Sequence, residues 1–213
     1  MAELATMGDP ARVAGRTRVG IRAGASYGVS LPDIRAMARR LGRDQALARA
    51  LWVTGNHDAR LLAPMVADPR ETTEEDAELW ALDFASWDVV DTCAINLLRK
   101  TPFAWALVER WSAREEEYIR RAAFALAATL TVHDRGTDDA PFRRVLMLAE
   151  SAATDDRSFV KKAVSWALRD IGGRRPGLRG EAIALAERLR DSPSRAARWV
   201  GNDALKEFQK SRR

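Results

Sequence analysis

The sequence predicts an all-α chain of short helices, and three observations carry that prediction. Strand-like, period-two patterns with β-branched clusters are nearly absent, whereas Ala, Leu, Arg and Glu recur at helical spacing. Start and stop signals return along the whole chain. Pro32 suits the first turn of a helix beginning near Leu31, and Thr101-Pro102 and Ser192-Pro193 repeat that arrangement. Thr72 with Glu75 and Ser112 with Glu115 fit capping boxes, while Gly172-Gly173 and Pro176-Gly177 punctuate the later part. Finally, Tyr118-Ile119-Arg120-Arg121-Ala122 matches Phe159-Val160-Lys161-Lys162-Ala163 at a spacing of 41 residues. Repeats of the HEAT and armadillo kind have periods of roughly 40–47 residues, and their antiparallel helix pairs stack into a curved solenoid with a concave groove. The expected architecture is therefore a HEAT-like helical solenoid with a basic concave face.

These signals place helices at 31–41, 43–53, 57–67, 73–85, 87–99, 102–111, 114–131, 140–153, 157–171, 178–190, 193–200 and 202–211, with one more around 10–22. That makes 12 or 13 helices and no sheet. The polar loop His133 to Ala140 is the sharpest break, but it is short enough to be a connection. The whole chain, 1–213, is read as a single HEAT-like domain whose first eight or so residues are loosely held.

Composition narrows the setting. The chain is 46% hydrophobic and 31% charged, with a net charge of +5 that suits a polyanionic partner without specifying one. A lone cysteine, Cys93, excludes a disulfide framework within the chain and points to a reducing compartment. Met1 to Pro10 contains Glu3 and Asp9 and no apolar run, so it does not read as a signal peptide. No stretch approaches the ~18 apolar residues of a bilayer span. A cytoplasmic monomer with no membrane partner is expected.

Helical periodicity sorts residues by face. Ile119, Ala122, Ala123, Leu126 and Leu130 form an apolar stripe in the first repeat copy, and Val160, Ala163, Val164, Ala167 and Ile171 form its counterpart. Arg121, Lys162, Trp166 and Arg169 lie off those stripes, with Lys162 and Trp166 sharing a flank at i and i+4. Trp87 and Asp91 also stand at i and i+4, beside a core stripe of Val90, Cys93, Ala94 and Leu97. An aromatic face and a carboxylate so placed can hold a cationic, sugar-like transition state, the ring through its quadrupole and the carboxylate through its charge. A half-buried tryptophan beside a solvated aspartate fits the same spacing. Arg121, Lys162 and Arg169 suit phosphate contacts or a solvated face, and so does the basic stretch Arg12, Arg16, Arg18 and Arg22. Asn56-His57-Asp58 superficially resembles a catalytic or metal cluster, but with only His133 as a second histidine and no cysteine nearby no metal site is expected, and Asn56 reads as a helix cap. Cys93 on its core stripe reads as an inert buried thiol. Gly20 to Gly28 lacks the spacing of a phosphate-cradling loop.

Several stretches, in order, resemble the AlkD-like DNA alkylation-repair family. They are Tyr27-Gly28-Val29-Ser30-Leu31-Pro32-Asp33-Ile34-Arg35, Ser86-Trp87-Asp88-Val89-Val90-Asp91, Arg121-Ala122-Ala123, Lys162-Ala163-Val164-Ser165-Trp166-Ala167-Leu168-Arg169 and Ser194-Arg195-Ala196-Ala197. The resemblance implies a HEAT-like solenoid that grips duplex DNA and removes N3- and N7-alkylated purines without metal or other cofactor, while the base can remain stacked. It implies Asp91 as the catalytic carboxylate and Trp87 and Trp166 as the aromatics against the damaged nucleotide's sugar. It also implies DNA contacts from Arg121, Lys162, Arg169, Tyr27 and Ser30. Ser86 stands where some members carry a second tryptophan, and the segment from Arg121 to Trp166 is longer than the family pattern. A non-catalytic helical-repeat module that binds DNA or protein is the alternative.

Overall fold

A computed structural model describes residues 1–21, 24–134 and 136–210. Arg22 of the basic stretch, Arg135 of the polar loop and residue 211 of the last expected helix lie outside the described residues. The described residues contain thirteen α-helices, two short 3-10 turns and no strand. The chain divides into two compact units, Met1–Pro102 and Phe103–Arg213.

The first unit holds α1 (Ala2–Thr6), α2 (Pro10–Arg18), α3 (Leu31–Leu41), α4 (Gln45–Val53), α5 (His57–Val66), α6 (Glu74–Leu82) and α7 (Trp87–Asn96). Short polar side chains start several of them. Ser30 Oγ accepts from the Asp33 N–H, Asp44 caps α4 through Leu47 N, and Asn56 Oδ1 accepts from Asp58 N and Ala59 N. The expected box at Thr72 falls one residue later. Thr73 and Asp76 form it, while Thr72 is buried and its hydroxyl donates to the Asp68 carbonyl. Trp52 on α4 stacks on Trp80 of α6 with ring centroids 4.3 Å apart and 2° between planes, and Arg49 pairs with Asp76 across the same two helices. α5 packs against α3, α4 and α7, and so carries the unit's core.

Ahead of α3, Gly28 has φ +82°, and a Cβ there would lie 2.2 Å from the Asp9 carbonyl oxygen. Both the left-handed backbone and the close approach exclude a side chain. Gly28→Ala is expected to cost about 1–3 kcal/mol. A urea midpoint within error of the parent's would refute this.

The second unit holds α8 (Ala104–Ser112), α9 (Glu117–His133), α10 (Ala140–Ala152), α11 (Ser158–Arg174), α12 (Arg179–Arg190) and α13 (Arg195–Lys210). α8, α10 and α12 form one row, linked by Glu109–Arg144, Arg143–Glu181 and Glu150–Arg188. α9, α11 and α13 form a second row. Tyr118 stacks on Phe159 at 5.6 Å, Lys161 lies 5.5 Å over Trp199, and Ser165 Oγ donates to Asp203 at 2.6 Å. The two apolar stripes read from the repeat are buried throughout. The polar loop belongs inside this unit. Arg175 donates to the carbonyls of Asp134 and Thr137 and stacks over Phe142.

Two sequence expectations fail here for physical reasons. Ser112 does not start α9; it ends α8 and donates to the Glu109 carbonyl, and no side chain caps α9. The break expected at Gly201 is absent, because α13 runs unbroken from Arg195 to Lys210. A Cβ at Gly201 would lie 2.4 Å from the Ala186 carbonyl, so this glycine lets α12 and α13 close on each other rather than ending a helix.

Candidate functional site

In the first unit α7 presents the residues singled out by spacing. Val90, Cys93, Ala94 and Leu97 are buried, while Trp87 and Asp91 are half-buried one turn apart. The Trp87 indole N–H donates to the Val19 carbonyl at 3.0 Å, which fixes the ring's edge. Burial pushes the Cys93 thiol up, and the charge of Asp91 adds to that against the opposing Arg60. Cys93 is therefore an inert core thiol.

Behind this face lies a polar hub that spacing did not reveal. Asp58, in the first turn of α5, has a fully buried side chain. It accepts from Arg16 Nη2 at 2.6 Å, Ser26 Oγ at 3.0 Å, and the consecutive backbone N–H groups of Tyr27, Gly28 and Val29 at 2.6, 3.1 and 3.1 Å. Burial works against the charged form, but Arg16, the Tyr27 N–H and Ser26 outweigh it and hold the carboxyl below its usual range. One carboxylate thus pins the whole 26–29 loop, and with it Tyr27, to α2 and α5. Ser30, next along, is occupied as the cap of α3 and donates to Asp33 Oδ2 at 2.5 Å.

His57 is buried with Nε2 2.9 Å from Asp88 Oδ2 on α7. Burial raises the Asp88 carboxyl, yet His57, Ser86 and the Val89 N–H together bring it below the usual range. An ionised carboxylate only accepts, so Nε2 carries the hydrogen. His57 acts here as an orienting donor between α5 and α7.

In the second unit the Trp166 indole N–H donates to Asp170 Oδ2 at 2.9 Å, one turn along α11. Trp166, Arg169, Asp170 and Arg174 line a cleft of about 370 Å³ together with residues of α13. Arg169 lies 3.4 Å from Asp203. Lys162 is exposed, its ammonium 6.0 Å from the Phe159 ring centroid. Arg121 differs from its sequence reading as a residue off the core stripe. It is only 6% exposed, and Nη1 donates to the Phe159 carbonyl at 2.9 Å, because the first turn of α11 packs directly over it.

The sequence pattern of the family described as DNA alkylation repair enzyme matches residues 1–210 of the chain. The chain belongs to this family. Among curated proteins none matches. A solved structure described as "a new family of proteins related to the HEAT-like repeat DNA glycosylases with affinity for branched DNA structures" is 21% identical. The likeness covers 100% of this chain and 93% of that one, with a TM-score of 0.82. At that identity it shows the fold, and the fold is HEAT-like, as the 41-residue repeat suggested.

For this member of the alkylation-repair family, each unit therefore gathers its own part of the expected set. Trp87, Asp91, Tyr27 and Ser30 belong to the first unit, and Arg121, Lys162, Trp166 and Arg169 to the second. Sequence reasoning missed the Asp58–Arg16 and Asp88–His57 pairs. The first joins positions 42 residues apart through an aspartate indistinguishable by pattern from an ordinary first-turn carboxylate.

Proposed function

We propose that this family member is a DNA glycosylase that hydrolyses the N-glycosidic bond of cationic N3- and N7-alkylated purines in duplex DNA, without a cofactor. The observation that carries the proposal is the pairing of Trp87 and Asp91, half-buried side by side on α7 and off its buried stripe. An N7- or N3-alkylated purine already bears positive charge. When its bond to C1′ breaks, the bonding pair neutralises the base, so no general acid is needed, unlike glycosidases with two carboxyl groups. What remains is to stabilise the oxocarbenium ion and direct water to C1′. Asp91 supplies the opposing charge and accepts a hydrogen bond from that water, and the water's proton passes to solvent. The Trp87 face adds quadrupole attraction. Since nothing must reach the base with an acid, the base can stay in the stack.

Trp166 is proposed as a second aromatic contact, with Lys162 and Arg169 toward the DNA backbone and Tyr27 and Ser30 as contacts from a loop that Asp58 holds rigid; Arg121, buried under α11, supports that face from within. Incubating the protein with duplex DNA that holds a single N7-methylguanine, and assaying for abasic sites, tests the reading. Excision supports it and its absence refutes it. A second reading, a non-catalytic DNA-binding member, is favoured by the similar fold of a protein described by its affinity for branched DNA.

Lys162→Ala tests backbone binding more cleanly than Arg121→Ala, since Arg121 also holds two helices together. The variant should bind duplex more weakly with no change in sequence preference, and the log–log salt slope should fall by about 0.9, one phosphate contact. An unaltered slope would show that Lys162 is merely solvated.

A further inference from the structure

The first unit contains a cleft of about 460 Å³ that neither Trp87 nor Asp91 lines, with Ser30 at its edge. It lies between α2, the start of α3, α5 and α7, on the Asp88–Thr92 side of α7 rather than at Asp91. Its size falls within the roughly 300–1,000 Å³ typical of small-molecule pockets. Val19, Val29, Leu31 and Leu61 give it aliphatic walls, suited to the faces of a flat ring. Asp88 lines it and is held ionised by His57, Ser86 and the Val89 N–H, with acceptor capacity remaining on the carboxylate. Arg12, half-exposed on α2 and 3.6 Å from Asp9, stands at the same cleft as a cation.

Gly15 is the second observation. It lines the cleft from the middle of α2, where glycine weakens a helix relative to alanine. Neither a positive φ nor a close neighbour requires it, since a Cβ there would meet nothing within 4 Å. What its missing side chain does is leave this wall open.

An ionised carboxylate accepts only, so it selects a ring edge with adjacent donors. Guanine offers N1–H beside its N2 amino group. Adenine and cytosine each set a ring-nitrogen acceptor beside their amino group, which opposes the carboxylate. We infer that this cleft binds a guanine nucleotide, with the base between the aliphatic walls, its N1–H and N2 amino edge on Asp88 and its phosphate at Arg12. The nucleotide is either free or an unpaired guanine of a DNA strand.

Titration calorimetry of the full chain with dGMP, dAMP and dCMP is the first test. dGMP should bind at least about 10-fold tighter than the others, the value of a hydrogen bond to a charged group. Gly15→Phe should fill the cleft and abolish dGMP binding while circular dichroism stays unchanged. Asp88→Asn should erase the guanine preference. Duplexes carrying one bulged guanine or one bulged adenine separate the sources. A guanine-bulge preference lost in Gly15→Phe assigns the strand, and preference for dGMP alone assigns the free nucleotide. No guanine preference in either format, or undiminished preference in Gly15→Phe, overturns the inference. Excision of N7-methylguanine by Gly15→Phe, measured alongside, keeps the outcome separate from that of the glycosylase reading.

Discussion

Asp58→Ala is expected to destabilise the protein by about 3–5 kcal/mol, the cost of removing one member of a buried ion pair. The loss is large because the carboxylate serves several partners at once. Its removal takes the counter-charge from the Arg16 guanidinium, only 12% exposed, and leaves the Tyr27 and Val29 N–H groups without their acceptor. Ser26 Oγ and the Val29 carbonyl still accept from Arg16, and Ser26 Oγ from the Gly28 N–H, but neither carries charge, and water would have to enter a site with a fully buried side chain. Urea unfolding followed by circular dichroism reads the effect. A shift below about 1 kcal/mol would mean the hub is replaceable by solvent. A pH signature accompanies it. The folded-state carboxyl of Asp58 titrates below its unfolded value of about 3.9, so its contribution is fully present above that value and is lost as pH falls through the folded pKa. Other carboxyls also lose stability in acid, so the diagnostic quantity is the difference between parent and Asp58→Asn. That difference should be flat from neutral pH to about 5 and shrink below about 4.

The hub also marks where the sequence stops being legible. Helix positions follow from local chemistry, and local chemistry is written in the chain. Pro32 in its first turn marks α3 at Leu31–Leu41, the span expected from the sequence, and Ser30 and Gly42 cap it in the structure. The stripes of α7, α9 and α11 were likewise readable, but α9 is buried on every face from Arg121 to Thr131, which period alone does not show. Gly201 was misread because a glycine that breaks a helix and one that admits a neighbouring helix look the same without the neighbour. Arg121 was placed by face alone, and what buries it is the first turn of α11, 38 residues away. The rungs Arg143–Glu181 and Glu150–Arg188 escaped notice because the charge order inverts between them. In the candidate site, Trp87 and Asp91 were visible because both sit on one helix. The fixing of Trp87 by Val19, of the 26–29 loop by Asp58 and of Asp88 by His57 depends on residues that only folding brings together.

Asp91→Asn should keep the fold and most of the affinity for DNA but lose excision of cationic alkylpurines by roughly 10²–10³ in rate, or about 3–4 kcal/mol of transition-state stabilisation. The substitution preserves size and shape on a half-buried position of α7, so a change in rate without a change in unfolding midpoint isolates the charge. Trp87→Ala and Trp166→Ala should each slow excision less, by about 1–2 kcal/mol, because an aromatic face attracts a desolvated cation more weakly than a full negative charge does. Loss of Trp87 also removes its bond to the Val19 carbonyl, so part of its effect should appear as weaker stability rather than slower chemistry. Neutral lesions should be poor substrates for the parent, because their base leaves as an anion with no acid to protonate it. Single-turnover rates on duplexes holding one N7-methylguanine separate these contributions. If Asp91→Asn excises as fast as the parent, the carboxylate only supports α7 and the electrostatic mechanism fails. If the parent excises nothing while binding duplex DNA, Trp87 and Asp91 are a surface of a binding protein, and the reading without catalysis replaces the glycosylase.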